Sequence, residues 1–193
     1  AHFLPVALEM TRRKSAEVTI FVLTQTAAQS IADFAKNLEL PLPKVTVMSL
    51  PQGLERFLPP KLDKIARLIC WAYATRQCDA ILCAERTSTI LKRLPGRCPP
   101  LIHIPHGAGD RAVGFESRFR YFDMIMVSGT KDQHRLLAEG LATPETCIVT
   151  GPIKITATLK AHRRDQNLFA NNRPILLYNP HFSPSLTSGP QFV

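Results

Sequence analysis

Glu17-Val18-Thr19-Ile20-Phe21-Val22-Leu23 is the stretch that decides the fold. It is short, rich in β-branched residues and nearly continuous in its apolar side chains. That composition suits a parallel strand covered on both faces, not an alternating strand with one wet face. Working outward, Phe3, Val6, Ala7 and Met10 fall near helical spacing, with Pro5 acceptable in a first turn, so residues 3–13 are expected to form a helix ahead of the strand. Beyond it the pattern predicts a helix over 27–38, a strand over 44–48, a long helix over 62–76 and a strand over 80–83. A helix over 88–94, strands over 101–104 and 123–127, a helix over 133–139 and a strand over 146–149 follow. Strand and helix alternate throughout, which implies parallel strands joined by right-handed helical crossovers. The expected class is α/β, a doubly wound, mostly parallel, Rossmann-like sheet.

Residues 1–154 are read as that domain, with its first strand lacking because a helix opens the chain. Residues 155–172 turn polar and basic and read as a linker, and residues 173–193, with a strand expected at Ile175–Tyr178, read as the start of a truncated second α/β domain. Both ends therefore look cut, as in a piece of a longer protein.

Lys and Arg number 24 against 15 Asp and Glu, a formal net charge of +9 that favours anionic partners. The sign does not choose among nucleic acid, anionic lipid and phosphorylated small molecules, and no specific nucleic-acid motif accompanies it. No apolar run approaches the roughly 20 residues that span a bilayer. The five cysteines are odd in number and lack CxxC spacing. They are read as small buried hydrophobes of a reducing cytosol, not as a disulfide framework or a zinc site.

In open α/β sheets the ligand crevice lies outside the carboxyl ends of the strands. The residues expected there are Thr24-Gln25-Thr26, Glu85-Arg86-Thr87-Ser88, His103 to Arg111, Ser128-Gly129-Thr130-Lys131 and Thr150-Gly151-Pro152. Thr26, Thr87 and Thr130 read first as helix N-caps. The richest stretch is Ile102-His103-Ile104-Pro105-His106-Gly107-Ala108-Gly109-Asp110-Arg111. Its glycines let a backbone approach a ligand closely, and an imidazole accepts a hydroxyl proton near neutral pH. His103 alternates with Ile102 and Ile104 inside the strand and reads as structural, leaving His106 as the candidate catalytic base. Gly107-x-Gly109 lacks the third glycine of a dinucleotide fingerprint, and no Walker, HExxH or GxSxG sequence occurs, so no cofactor and no metal are expected. Arg111, Arg118 and Arg120 beside Phe115, Phe119 and Tyr121 read either as an ordinary surface loop or as a flap over an anionic substrate.

Ala1-His2-Phe3-Leu4-Pro5, Pro105-His106-Gly107, Ser128-Gly129, Gly151-Pro152-Ile153-Lys154 and Leu176-Leu177-Tyr178-Asn179-Pro180 together resemble the GT-B transferases, and among them the CDP-glycerol glycerophosphotransferase family. The resemblance covers most of the chain, through short motifs. It implies a His-Gly loop in the cleft, matched by His106, and a Gly-Pro-Arg type turn, matched by Gly151-Pro152 with Lys154 displaced by one. Ala108 and Gly109 replace the family's threonine and proline, and Thr156 stands near where an acid is usual.

The implied activity is transfer of a glycerol phosphate from a CDP-alcohol to an acceptor hydroxyl in cell-surface polymer synthesis. The partners are then a nucleotide-activated donor and a hydroxyl acceptor, with Gly107, Gly109, Arg111, Lys131 and Lys154 as substrate-binding candidates. The family also implies a cytoplasmic protein with peripheral contact at the inner face of the membrane. Glycosyl transfer or epimerisation of a nucleotide sugar is the alternative within the same fold. A noncatalytic basic module that holds an anionic polymer, nucleic acid or membrane is the alternative from another class.

Overall fold

The computed structural model of the protein describes residues 3–54, 57–104 and 115–161, all within one compact unit. The first helix, α1, is Leu4–Arg13, with proline in its first turn, where the missing N–H costs nothing. Strand β1 is Thr19–Val22, and α2 is Gln25–Asn37. The N-cap of α2 is Thr24, whose hydroxyl accepts from the Ala27 N–H at 3.1 Å; Thr26, expected to cap, lies inside the helix. Strand β2 is Lys44–Val47 and pairs in parallel with β1, Thr19 opposite Lys44 and Val22 opposite Val47.

The side chains of β1 divide between two faces with the period of two that a strand imposes. Ile20 and Val22 pack with Leu4, Ala7 and Leu8 of α1 and with Ala35 of α2, so both helices lie on one face of the strand. Phe21 points the other way, its ring 6.4 Å from that of Trp71. The expected long helix over 62–76 is α3, Pro60–Cys70, followed by the short α4, Ala72–Thr75. The interruption falls at Trp71, whose indole Nε1 donates to the Ser49 carbonyl at 2.7 Å while Arg67 Nη1 reaches the Met48 carbonyl at 2.6 Å. Those two bonds draw the helix onto the carboxyl end of β2.

Strands β3 (Ile81–Cys83), β4 (Leu101–His103), β5 (Met124–Val127) and β6 (Cys147–Val149) form a second sheet in that order, every neighbouring pair parallel. The segments between them are a 3-10 helix at Arg86–Arg93, a 3-10 helix at Ser117–Tyr121 and α5 at Thr130–Ala138. Cys83, Leu101, Ile125, Val127 and Cys147 of the strands meet Phe119, Phe122, Leu136 and Leu141 in one buried cluster. At the amino-terminal ends of the two inner strands Asp123 joins β4 to β5. Its carboxylate accepts from the Leu101 N–H at 2.7 Å and from Lys92 Nζ, and its own N–H donates to the Leu101 carbonyl at 3.0 Å.

Two expectations change. The strands do not form one continuous ladder: among the described residues β1 and β2 pair only with each other, and β3 to β6 form a separate run. The polar segment read as a linker from residue 155 begins as helix, α6 at Ile153–Ala161, because Gly151-Pro152 starts a turn that the alanine- and leucine-bearing residues after it extend. Residues 162–193, including the strand expected at 175–178, lie outside the described residues.

Candidate functional site

Four parallel strands open on one edge, so the residues after β3, β4, β5 and β6 are brought to a common rim. At the end of β3, Cys83 and the following Ala84 are buried, and Glu85 is extended before the 3-10 helix that Arg86 opens. Glu85 forms an ion pair with Lys64, which α3 carries across from β2. Arg86 pairs with Glu116, and Glu116 also accepts from Arg118 Nε at 3.0 Å. Three cations thus meet two carboxylates at this end of the rim.

The Arg86–Glu116 pair has a positional consequence. The loop that follows β4 leaves at Ile104, which is buried and donates its N–H to the Cys83 carbonyl at 2.9 Å. It returns at Phe115, whose ring lies 4.9 Å from that of Phe119 with the Arg135 guanidinium over it at 5.9 Å. Both feet of the loop are therefore fixed to the scaffold, one by a sheet hydrogen bond and the other by aromatic packing and an ion pair. Rigidly held feet are what a functional loop needs.

After β5 the chain bends at Ser128, Gly129 is extended and Thr130 starts α5; the cap residue is Gly129, so Thr130 does not cap the helix. Thr87 likewise falls inside the 86–93 helix. Lys131 is exposed in the first turn of α5. After β6, the Thr150 N–H donates to the Val127 carbonyl at 2.9 Å, tying the ends of β5 and β6 together. Gly151 has φ +81°, a left-handed conformation that a side chain disfavours, and from it the chain turns into α6. Lys154 is the second residue of that helix.

His106, Gly107, Gly109 and Arg111 lie outside the described residues; the fixed points are the two feet of their loop. His103 is structural, as its alternation suggests. It is 2 % exposed, with its ring centroid 5.0 Å from that of Phe119 and 4.8 Å from that of Phe122. The flap reading of the 115–121 segment does not hold. Phe119 is buried in the core of the sheet, Arg118 is bound to Glu116, and Arg120 Nε donates to the Gly140 carbonyl at 3.1 Å, so the two exposed arginines are engaged by the protein itself. The sequence reading missed Lys64 and Glu116, since Lys64 finds Glu85 and Glu116 finds Arg86 from far along the chain.

The cysteines split. Cys83 and Cys147 are buried as expected, and burial pushes the Cys83 thiol up to about 12; Cys70 and Cys78 are exposed. All five are free thiols, and no cluster of metal-ligating side chains occurs among the described residues. No helix among them is long and apolar enough to cross a membrane.

Comparison of the chain with protein-family models, with curated proteins and with solved structures finds no match. Its class rests on its own architecture: it is an α/β protein built on parallel sheets, with a shared carboxyl-end rim.

Proposed function

We propose that this chain is the amino-terminal α/β part of a GT-B type transferase that moves a glycerol phosphate, or a related activated group, from a CDP-alcohol to an acceptor hydroxyl. One observation carries the reading. The loop that holds His106 springs from β4, in the interior of a parallel sheet, at the edge where such sheets bind ligands, and its feet are held by Ile104 and by the Arg86–Glu116 pair.

In this reading the acceptor oxygen attacks the donor's phosphorus, the bond from phosphorus to the nucleotide oxygen breaks, and the nucleoside monophosphate leaves. His106 takes the acceptor's proton. Gly107 and Gly109 allow close backbone approach, while Arg111, Lys131 and Lys154 stabilise the charge that develops on the phosphoryl oxygens. Catalysis of this kind depends on positioning, which a loop with two anchored feet supplies.

The test uses the full-length protein with CDP-glycerol and, separately, UDP-sugars, with product analysis. His106→Ala should lower kcat by about 10²- to 10⁴-fold with little change in donor affinity, the range general base catalysis supplies. Near-normal turnover in that variant removes His106 from the mechanism. Products formed only from UDP-sugars replace the phosphotransfer reading with glycosyl transfer. Indifference to every nucleotide, with polymer binding that weakens steeply in salt, replaces both with the noncatalytic module.

A further inference from the structure

Two of the free thiols stand at the amino-terminal ends of neighbouring strands. Strands β3 and β4 run parallel, with Ile81 opposite Leu101. Carried back by the same number of residues on each chain, that register sets Cys78 against Cys98. The two chains are held together on both sides of these cysteines. On the strand side the Ile81 N–H donates to the Pro100 carbonyl at 2.9 Å. On the other side Arg76 donates through Nη1 to the Pro95 carbonyl at 2.9 Å and through Nη2 to the Gly96 carbonyl at 2.6 Å. Gly96 has φ +92°, so the turn that offers those carbonyls uses a conformation that a side chain disfavours. Cys78 lies between Arg76 and Ile81 on one chain, and Cys98 lies between Gly96 and Pro100 on the other.

Adjacent parallel strands run about 4.8 Å apart, within the roughly 4.4–6.8 Å between Cα atoms that a disulfide requires. Cys78 is exposed, and its thiol donates to the Thr75 carbonyl at 3.3 Å, a weak bond that is readily given up. Cys98 is half-buried against the cluster that contains Leu101 and Phe122. Electrostatics agree with the bracketing contacts. Burial raises the Cys78 thiol above its ordinary value, and the charges of Asp79 and Cys98 raise it further. Burial also raises the Cys98 thiol, while the charge of Arg76 draws it part of the way back. The strand cysteines have other neighbours in register, Cys83 opposite His103 and Cys147 opposite Ile125.

We propose that Cys78 and Cys98 form a paired modification site that hydrogen peroxide converts to a reversible disulfide. The Cys98 thiolate, with Arg76 beside it, attacks one peroxide oxygen. The O–O bond breaks, the sulfur is oxidised to a sulfenic acid, and the departing hydroxide takes up the proton that the thiol released. The Cys78 thiol then attacks that sulfur, the S–O bond breaks, and water leaves as the S–S bond forms. Two thiols and one peroxide thus give one disulfide and two waters. Two equivalents of a thiol such as glutathione, themselves oxidised to a disulfide, return the pair to its reduced form. The link ties the amino ends of β3 and β4 and closes a loop that carries Glu85 and Arg86 at the far end of β3. It acts on the scaffold, independently of the transfer chemistry proposed above.

The full-length protein, reduced and then treated with equimolar hydrogen peroxide at low protein concentration, tests the pairing. After alkylation in urea and digestion without reductant, fragment-ion mass spectrometry should place a link between Cys78 and Cys98 and recover Cys83 and Cys147 as free thiols. Dithiothreitol should reverse the link. The oxidised protein should unfold at about 1–1.5 M higher urea than the reduced one, the shift expected when a loop of roughly 20 residues is closed. Arg76→Gln keeps both cysteines but removes the clamp and its charge, and should slow linkage by about tenfold or more. A link from Cys98 to Cys83, or from Cys78 to Cys70, overturns the assignment. So do Cys78 and Cys98 thiols that stay free under excess peroxide or pass to sulfinic acid unlinked. Linkage that appears only in urea, or at the parent rate in Arg76→Gln, shows that the fold does not bring the pair together and overturns it as well. If Arg76→Gln does not fold, the map and the urea shift of the parent decide.

Discussion

Replacing Phe119 should destabilise the protein and loosen the loop that carries His106. The ring is 1 % exposed and packs edge-on against His103 at 5.0 Å, Phe115 at 4.9 Å and Phe122 at 5.8 Å. Truncation to alanine removes that side chain from a close-packed wall and leaves a cavity, a change that costs about 3–5 kcal/mol. Leucine keeps much of the apolar volume but loses the aromatic edges, so Phe119→Leu should cost about 1–2 kcal/mol. Against a total stability of roughly 5–15 kcal/mol, the alanine variant is a severe test and the leucine variant a survivable one. Urea unfolding followed by far-UV circular dichroism reads both. With a slope near 2 kcal/mol per molar, the midpoint should fall by about 0.5–1 M for leucine and about 1.5–2.5 M for alanine. Lys36→Ala, on the exposed side of α2, should stay within about 0.5 kcal/mol of the parent. If both Phe119 variants unfold within about 0.3 M of the parent, the aromatic wall does not hold the sheet as described and the anchoring of the loop's far foot fails with it.

Two further outcomes follow from titratable groups. Burial raises the Cys83 thiol to about 12, so at pH 8 only about one molecule in ten thousand carries the thiolate; iodoacetamide should label exposed Cys70 in the folded protein and leave Cys83 unmodified until urea is added. Rapid folded-state labelling of Cys83, read by peptide mass spectrometry, would refute its buried placement at the end of β3. The second concerns Asp123. Burial pushes its carboxyl upward, but the bonds from Lys92 and the Leu101 N–H outweigh this and set it below 3.8. A group whose folded pKa is depressed contributes stability that is present above its unfolded value and is lost as pH falls through the folded one. The acid-side decline in unfolding free energy below about pH 4 should therefore be shallower in Asp123→Asn than in the parent, and identical slopes would deny the linkage.

The elements were legible in the sequence because their signals are local. The apolar run at 17–23 and the β-branched and apolar runs ending at Val47, Cys83, His103, Val127 and Val149 need no knowledge of the rest of the chain to be read as buried strands. His103 could be separated from His106 on alternation alone, and its ring does lie between Phe119 and Phe122. What was hidden is relational. The long helix breaks at Trp71, whose indole reaches the distant Ser49 carbonyl, and Arg118 reads as a free cation until Glu116 is placed beside it. The two exposed cysteines deceived because a thiol's apolar neighbours in sequence need not be its neighbours in space.

The rim's charges bear on how an anionic ligand could be held there. The chain's excess of +9 suggests a surface that attracts anions everywhere, yet Lys64, Arg86 and Arg118 at the end of β3 are each engaged by Glu85 or Glu116. A phosphate arriving at Arg86 would have to displace the Glu116 carboxylate, and with it the ion pair that holds the loop's far foot. Arg86 therefore supports the loop's foot through Glu116, and in the transfer reading proposed above the charge that meets a phosphoryl group is assigned to other residues. If the proposed reading holds, scaffold and ligand-facing charge fall to different residues, so the Arg86–Glu116 pair need not break for a substrate to bind.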